Sequence, residues 1–341
     1  MPSTIAFRVL SWNLKDFGNY DYSATMSRIA STIINSGADI AVILEVTANR
    51  KVKGAKIDQD LITSGAKTAI ADLLNQLKKK DKASGWMQAT SGINAGNADR
   101  DGYAFFWKTK TAGKALGTNL LPTKISLVSG PDILRKDGSG KDLGFKGSRR
   151  PGACVFKLEN PAATPNSQNV LVCGFHAYAD FKDDKGIQRS IKDCLLASNA
   201  EAAALPVVVG GDLNMDYTAN KVFYATLKAD TNLGYDTAIT SGTGSSLLAN
   251  PDFSVPNPVV AGNAFDNFLY KKLSLVSAWQ TKVIDVILDM TASLPQKKGN
   301  KKRTLADLEK EAYTIYYTVN TGIGKTSCIS DHFPIIGAFG F

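Results

Sequence analysis

Short apolar runs alternate with amphipathic helical patterns along the whole chain, and this alternation limits the possible folds more than any other feature. Ile40–Val46 and Pro206–Gly211 are almost continuously apolar, as strands buried on both faces must be. Ala6–Leu14, Tyr103–Lys108, Ala153–Leu158, Asn169–His176, Phe265–Lys271, Ser277–Ile284 and Ile335–Phe341 read as further strands. Between them, Thr25–Asn35 places Met26, Ile29 and Ile33 at helical spacing and stops near Gly37. Leu61–Lys80 and Gln188–Ala204 also read as helices, the former with a basic end suited to its own dipole. Strands separated by helices build α/β sheets covered on their faces. No internal repeat or low-complexity linker breaks the pattern. Lys108–Arg150, Ser241–Asn263 and Pro295–Arg303 read as surface loops.

At 341 residues, 44% hydrophobic and 21% charged, the composition is that of a globular protein and excludes a disordered tail or a fibrous repeat. No apolar run approaches the roughly 20 residues of a membrane-spanning helix. The start, MPSTIAFRVLSWNL, lacks the basic opening and long apolar stretch of a signal peptide. The cytoplasm is therefore the default expectation, with secretion as a trimmed or non-classically exported chain the alternative. Forty Lys and Arg against 31 Asp and Glu leave a net charge of +9, which favours a polyanionic partner without choosing between nucleic acid and an anionic membrane surface. Lys108–Arg150 holds ten basic residues against three acidic ones, and KKGNKKR closes the Pro295–Arg303 segment. A charge run is usually a solvated face, but both segments share the sign of the whole chain. Four scattered cysteines (Cys154, Cys173, Cys194, Cys328) suit neither a disulfide scaffold nor a zinc cluster, and read as reduced, buried residues.

The chain has two histidines, His176 and His332, and each stands beside an apolar strand. Other polar groups gather at strand ends in the same way. The first strand runs into Ser11-Trp12-Asn13, the second reaches Glu45, and the valine-rich strand ends in Gly210-Gly211-Asp212-Leu213-Asn214. Asp266 opens a later strand, and Asp331-His332 precede the last one. Polar residues at the ends of buried α/β strands converge on one edge, where ligand crevices lie. Carboxylates and amides suit a hard cation such as Mg²⁺ or Mn²⁺, and histidines without a cysteine pair suit proton transfer better than zinc.

The ordered set WN…E…H…GDLN…D…SDH resembles the endonuclease/exonuclease/phosphatase superfamily, the DNase I-like metal-dependent phosphohydrolases. It runs from Asn13 to His332, so a single domain over 1–341 is expected. The resemblance implies a four-layered α/β sandwich, two packed mixed β-sheets flanked by helices. It further implies that Glu45, Asn13 and Asp331 hold Mg²⁺, with Mn²⁺ or Ca²⁺ as substitutes. By the same resemblance Asp212 and Asn214 hold the attacking water and a phosphate oxygen, and His176 and His332 act as acid–base groups. Asp266 orients His332, and Asp101, in Asp101-Gly102-Tyr103, supports His176. Arg149 contacts a phosphate, and Tyr103 joins Arg149 and Asn214 among the substrate-binding residues.

Asn13-Leu14-Lys15-Asp16-Phe17-Gly18 and Arg149-Arg150-Pro151 lean the resemblance towards DNase I-type nucleases. Departures also stand out. Leu44 precedes the glutamate where the family often has glutamine, Thr47 stands where DNase I-type enzymes can place a minor-groove arginine, and Lys15 replaces an acid of the exonuclease III branch. The reading is a metal-dependent endonuclease acting on DNA, with no obligate protein partner. The alternative within the superfamily is a phosphoinositide or sphingomyelin phosphohydrolase, for which only Phe253–Val260 offers an apolar loop.

Overall fold

The computed structural model describes residues 3–18, 25–47, 62–92, 101–145, 149–178, 184–241, 244–246, 261–298, 301–316, 330 and 332–341. Ten longer strands form two mixed sheets. The first contains β1 (Ala6–Phe17), β2 (Ile40–Thr47), β3 (Trp86–Gly92), β4 (Asp101–Lys108) and, from further along the chain, β10 (Ile335–Gly340). The second contains β5 (Lys124–Ile133), β6 (Gly152–Glu159), β7 (Ser167–His176), β8 (Val207–Asp212) and β9 (Asp266–Lys271). Short strands at Ser274–Leu275 and Lys282–Val283 extend the first sheet, and Asp236–Thr237 extends the second. Each sheet has one parallel pair at its centre, β1 with β2 and β7 with β8, among antiparallel neighbours.

Helices cover the outer faces. α1 (Met26–Asn35), α2 (Ser64–Lys80), α5 (Val286–Ser293) and α6 (Leu305–Tyr316) share a core with the outward residues of the first sheet, including Leu10, Ile43 and Phe106. α3 (Asp184–Ala202) and α4 (Lys221–Ala229) pack on Leu171, Cys173, Val207 and Val209 of the second. Between the sheets, Phe7, Val9, Val42, Phe105, Phe156, Val172, Val208 and Phe268 form the central layer. The strands alternate between these cores: Val208 faces inward, while Val207 and Val209 face α3. With both faces buried, nearly every position must be apolar, which is why these strands appear as unbroken runs. The layers run helix, sheet, sheet, helix, the four-layered sandwich expected.

Several expectations need correction. Lys108–Arg150 is not a loop throughout, because it contains β5, the edge strand paired with β6. Its alternation is broken by register shifts between Leu127 and Ser129 and between Ser129 and Asp132, so it carries no clean period of two. Ser277–Ile284 contributes only Lys282–Val283 to the sheet; Trp279 instead closes a turn back to the Val276 carbonyl and lies over Arg8. Lys297–Lys298 and Lys301–Lys302 pair as a small hairpin within the expected Pro295–Arg303 loop. Cys154, Cys173 and Cys194 are buried and free, and burial pushes the Cys173 thiol up to about 12. Cys154 faces the central layer and Cys173 faces α3, so these two point to opposite sides of the sheet. Cys328 and Phe253–Val260 lie outside the described residues. No helix among the described residues is long and apolar enough to cross a membrane.

Candidate active site

Strand register does most of the assembly. His176, at the end of β7, pairs with Asp212 at the end of β8, and Asp212 pairs with Asp266 at the start of β9. Directly opposed residues of neighbouring strands share a face, so one cross-strand row of the second sheet delivers three functional side chains. The first sheet supplies Asn13 and Glu45 from its own parallel pair. There the β1–β2 register shifts after Asn13, and Glu45 takes a left-handed backbone conformation, φ 55°. A bulge of this kind re-aims a side chain that regular pleating would send elsewhere.

The two halves meet at Asp212. Its Oδ2 lies 3.5 Å from His176 Nε2 and 3.4 Å from His332 Nε2, and accepts from Asn13 Nδ2 at 3.2 Å. The same Asn13 amide donates to Glu45 Oε1 at 2.8 Å, while the backbone N–H of Asp16 donates to Glu45 Oε2 at 3.1 Å. The other Asp212 oxygen accepts from the Asn214 backbone at 2.9 Å. His332 Nδ1 stands 2.7 Å from Asp266 Oδ2, the expected carboxylate–imidazole pair, which leaves Nε2 turned towards Asp212. Arg149 Nη1 lies 2.8 Å from His176 Nε2 and donates to the Ala177 carbonyl at 3.0 Å, and its guanidinium sits over the Tyr178 ring. Asn214 Nδ2 donates to the same Ala177 carbonyl at 2.7 Å.

Burial opposes ionisation of both aspartates, yet their environments drive them apart. At Asp212, burial is outweighed by the charges of His332 and His176 and by hydrogen bonds from Asn214 and Asn13, so its carboxyl falls below the usual range. At Asp266, burial dominates, the Asp212 charge adds to it, and the His332 contacts only partly compensate; its carboxyl rises. Separated acidities within one cluster let one carboxyl stay ionised beside another that holds its proton more readily.

Three further expected residues are Tyr103, Asp331 and Asp101. Tyr103, expected among the substrate-binding residues, is wholly buried between the sheets. A Cβ on Gly152 or Gly174 would stand 2.4 Å or 2.8 Å from its ring, so glycines make room for it. Its hydroxyl donates to the Arg150 carbonyl at 2.8 Å and accepts from the His176 N–H at 3.4 Å, so it ties the Arg149 segment to the end of β7. Asp331 and the side chain of Asp101 lie outside what the structure describes.

Sequence reasoning missed several supports. Ser330 Oγ bridges the Asn13 carbonyl and the His332 N–H, and Trp12 Nε1 donates to the His332 carbonyl at 3.1 Å. Buried Ser245 accepts the Asp266 N–H on its Oγ at 2.8 Å and the Phe333 N–H on its carbonyl. Ser330 is the serine of the SDH motif and was readable there; nothing in the sequence marks Ser245.

Two groupings offer donors for a cation. Ligand atoms of Asp212, Asp266 and His332 lie within 4.8 Å of one another. However, His332 Nδ1 and Asp266 Oδ2 are already occupied with each other. On the other side Asn13 Oδ1 is buried and accepts no hydrogen bond among the described residues, and the nitrogen of the same amide holds the Glu45 carboxylate. An orphaned amide oxygen beside a carboxylate fits a hard divalent ion.

No family model matches the sequence, and no curated protein is significantly similar to it. Solved structures do match across nearly the whole chain. An endonuclease/exonuclease/phosphatase family protein from Bacteroides thetaiotaomicron is 15% identical, with a TM-score of 0.53, over 100% of this chain and 99% of its own. The human Nocturnin catalytic domain, solved with bound sulfate, is 12% identical with a TM-score of 0.51, over 99% and 96% of the two chains. A mannosyl-6-phosphatase from Bacteroides thetaiotaomicron is 13% identical with a TM-score of 0.50, over 98% and 100%. The chain therefore has the DNase I-like fold of the endonuclease/exonuclease/phosphatase superfamily.

Proposed function

We propose that the chain is a divalent-metal-dependent phosphodiesterase, an endonuclease whose favoured substrate is DNA. The observation that carries this reading is the convergence of Asn13 and Glu45 from one sheet with His176, Asp212 and the Asp266–His332 pair from the other. The net charge of +9 supports a polyanionic substrate.

Glu45 and Asn13 Oδ1, with Asp331 as the expected third ligand, would hold the metal. Mg²⁺ there supplies charge neutralisation for a non-bridging phosphate oxygen and the leaving group. Asp212, ionised, accepts a proton of the attacking water and orients its lone pair along the phosphorus–leaving-group axis. Asp266 fixes the His332 tautomer with the proton on Nδ1, so that Nε2 faces the reacting side. Arg149 Nη1 stands 2.8 Å from His176 Nε2 and holds the ring in place before substrate arrives. A substrate phosphate offers Arg149 a charged acceptor in place of the imidazole and frees His176 for the leaving oxygen. Asn214 is anchored on the rim next to Arg149 and grips a phosphate oxygen.

The test is supercoiled plasmid incubated with Mg²⁺, Mn²⁺ or EDTA, with His332→Ala as control. The expected result is metal-dependent nicking that the variant loses. A fold shared with a mannosyl-6-phosphatase makes sugar phosphates the competing substrate class, and phosphoinositides and sphingomyelin complete the panel. Hydrolysis of one of those by folded protein that leaves plasmid intact would replace the nuclease reading.

A further inference from the structure

Asp266 opens β9 of the second sheet, and His332 stands just ahead of β10 in the first. Their 2.7 Å contact therefore joins two strand starts that share no ladder, and something must hold those starts at that spacing. The segment 244–246 runs between them and bonds to both.

On one side it grips the approach to Asp266. The Asn263 carbonyl accepts the backbone N–H of Ser245 at 2.9 Å, that of Ser246 at 3.0 Å and the Ser246 hydroxyl at 3.2 Å. The Gly262 N–H donates back to the Ser246 carbonyl at 2.6 Å. Ser245 is fully buried, and its Oγ accepts the N–H of Asp266 itself at 2.8 Å. On the other side the Phe333 N–H donates to the Ser245 carbonyl at 2.6 Å, and Ser246 pairs with His332 as an antiparallel bridge. Phe333 is in turn buried in the core that the first sheet shares with its helices. The fit is close: a Cβ on Gly244 would run into the Gly262 carbonyl oxygen, so a glycine lets the two backbones pass.

We propose that Ser245 is a positioning residue for the acid–base pair, its hydroxyl fixing the Asp266 backbone and its carbonyl the Phe333 backbone, so that the carboxylate meets His332 Nδ1. The inference rests on the hydrolase reading above, in which His332 Nε2 faces the reacting side. Ser245 acts through Asp266 and touches no reacting atom. A carboxylate orients an imidazole only while its own backbone is held, and a misplacement of about 1 Å can cost on the order of 10²-fold in rate. Without the Ser245 hydroxyl the buried Asp266 N–H loses its acceptor, and the strand start is free to shift.

The experiment compares wild type with Ser245→Ala and Ser246→Ala, each carrying nitrogen-labelled histidine for NMR and each assayed on bis(p-nitrophenyl) phosphate with Mg²⁺. The chain has two histidines, so the ring resonance that disappears in His332→Gln identifies His332. In Ser245→Ala, kcat should fall about tenfold with KM within about twofold, and the His332 Nδ1 proton should exchange with solvent about tenfold faster. Ser246→Ala removes an exposed hydrogen bond to the Asn263 carbonyl and should match wild type in all three. If the alanine variant of Ser245 does not fold, Ser245→Cys keeps the shape with a weak sulfur acceptor, and losses in the same direction are expected of it. A folded Ser245 variant with wild-type kcat, or with lowered kcat and an unchanged Nδ1 proton, overturns the positioning role. So does a wild-type His332 without a proton on Nδ1. Wild type that hydrolyses no phosphoester with any divalent metal overturns the hydrolase reading instead, and the Nδ1 comparison, which needs no turnover, then decides whether Ser245 holds the pair.

Discussion

The parallel pair β1–β2 carries a polar cross-strand contact at each end, and the two contacts are built on opposite principles. At the far end Arg8 donates to Asp39 three times: from its backbone at 2.9 Å, from Nε at 3.0 Å and from Nη2 at 2.8 Å. Asp39 is fully buried, and Trp279 covers the guanidinium. Lys108 joins the same end, its ammonium over the Trp86 ring and its backbone N–H on the Asp39 carbonyl. Its ammonium is pushed down by burial, with Asp39 and Asp81 countering and Arg8 adding to the shift. At the other end Asn13 divides one amide between two carboxylates, its oxygen accepts no hydrogen bond among the described residues, and Glu45 sits at positive φ. The contrast teaches where this fold holds itself together and where it gives up stability for chemistry. One end satisfies its charges within the protein; the other leaves Asn13 Oδ1 without a donor among the described residues.

The largest effects should separate these ends cleanly. His332→Ala or Asp212→Ala should lower turnover by about 10²–10⁴-fold, the usual worth of a positioned acid–base group. Circular dichroism should show either variant folded, so that the loss is read per folded molecule. A folded variant with near wild-type turnover would remove that residue from the chemistry. Arg8→Ala should do the reverse: uncompensated Asp39 costs about 3 kcal/mol or more of stability, read from the denaturant midpoint. Turnover per folded molecule should be unchanged, and a loss there would mean that the two ends are coupled.

Smaller shifts sharpen the comparison. Adding Mg²⁺ should raise the melting temperature of wild type, and Glu45→Gln should abolish that rise while itself relieving carboxylate crowding. A metal-induced rise of the same size in Glu45→Gln would move the ion to the Asp212–Asp266–His332 grouping. Smallest is Asp266→Asn, expected to stabilise the fold by about 1 kcal/mol near neutral pH. Folding raises the Asp266 carboxyl, so its ionised form destabilises the folded state above that raised range. The advantage of the variant should therefore be full at higher pH and fade as pH falls through the raised range, where the wild-type carboxyl also becomes neutral. Equilibrium unfolding at a series of pH values checks the sign, and a gain that grows on acidification would contradict it.

The central strands were legible because burial on both faces leaves an unbroken apolar record. Edge strands leave less trace: β3 is half exposed, and the bulges of β5 scramble its alternation, so both were passed over. α4, α5 and α6 were missed as well, short amphipathic helices flanked by loop-like composition. Within the site, His176, Asp212 and Asp266 could be read as strand-end polar groups, and the structure aligns them in one row. A tyrosine beside an acidic residue looks the same in sequence whether its hydroxyl reaches solvent or, as at Tyr103, a buried carbonyl. The left-handed turn at Glu45 and the clasp of Ser245 on Asp266 and Phe333 depend on contacts between distant segments, which no local pattern encodes.

Because each sheet contributes half of the cluster, neither can act before the two have docked. A chain with both sheets formed but not yet stacked would hold its secondary structure and its metal-side residues, and still lack Asp212 beside Asn13. Regained activity during refolding would therefore report the docking of the two sheets, which circular dichroism does not read by itself.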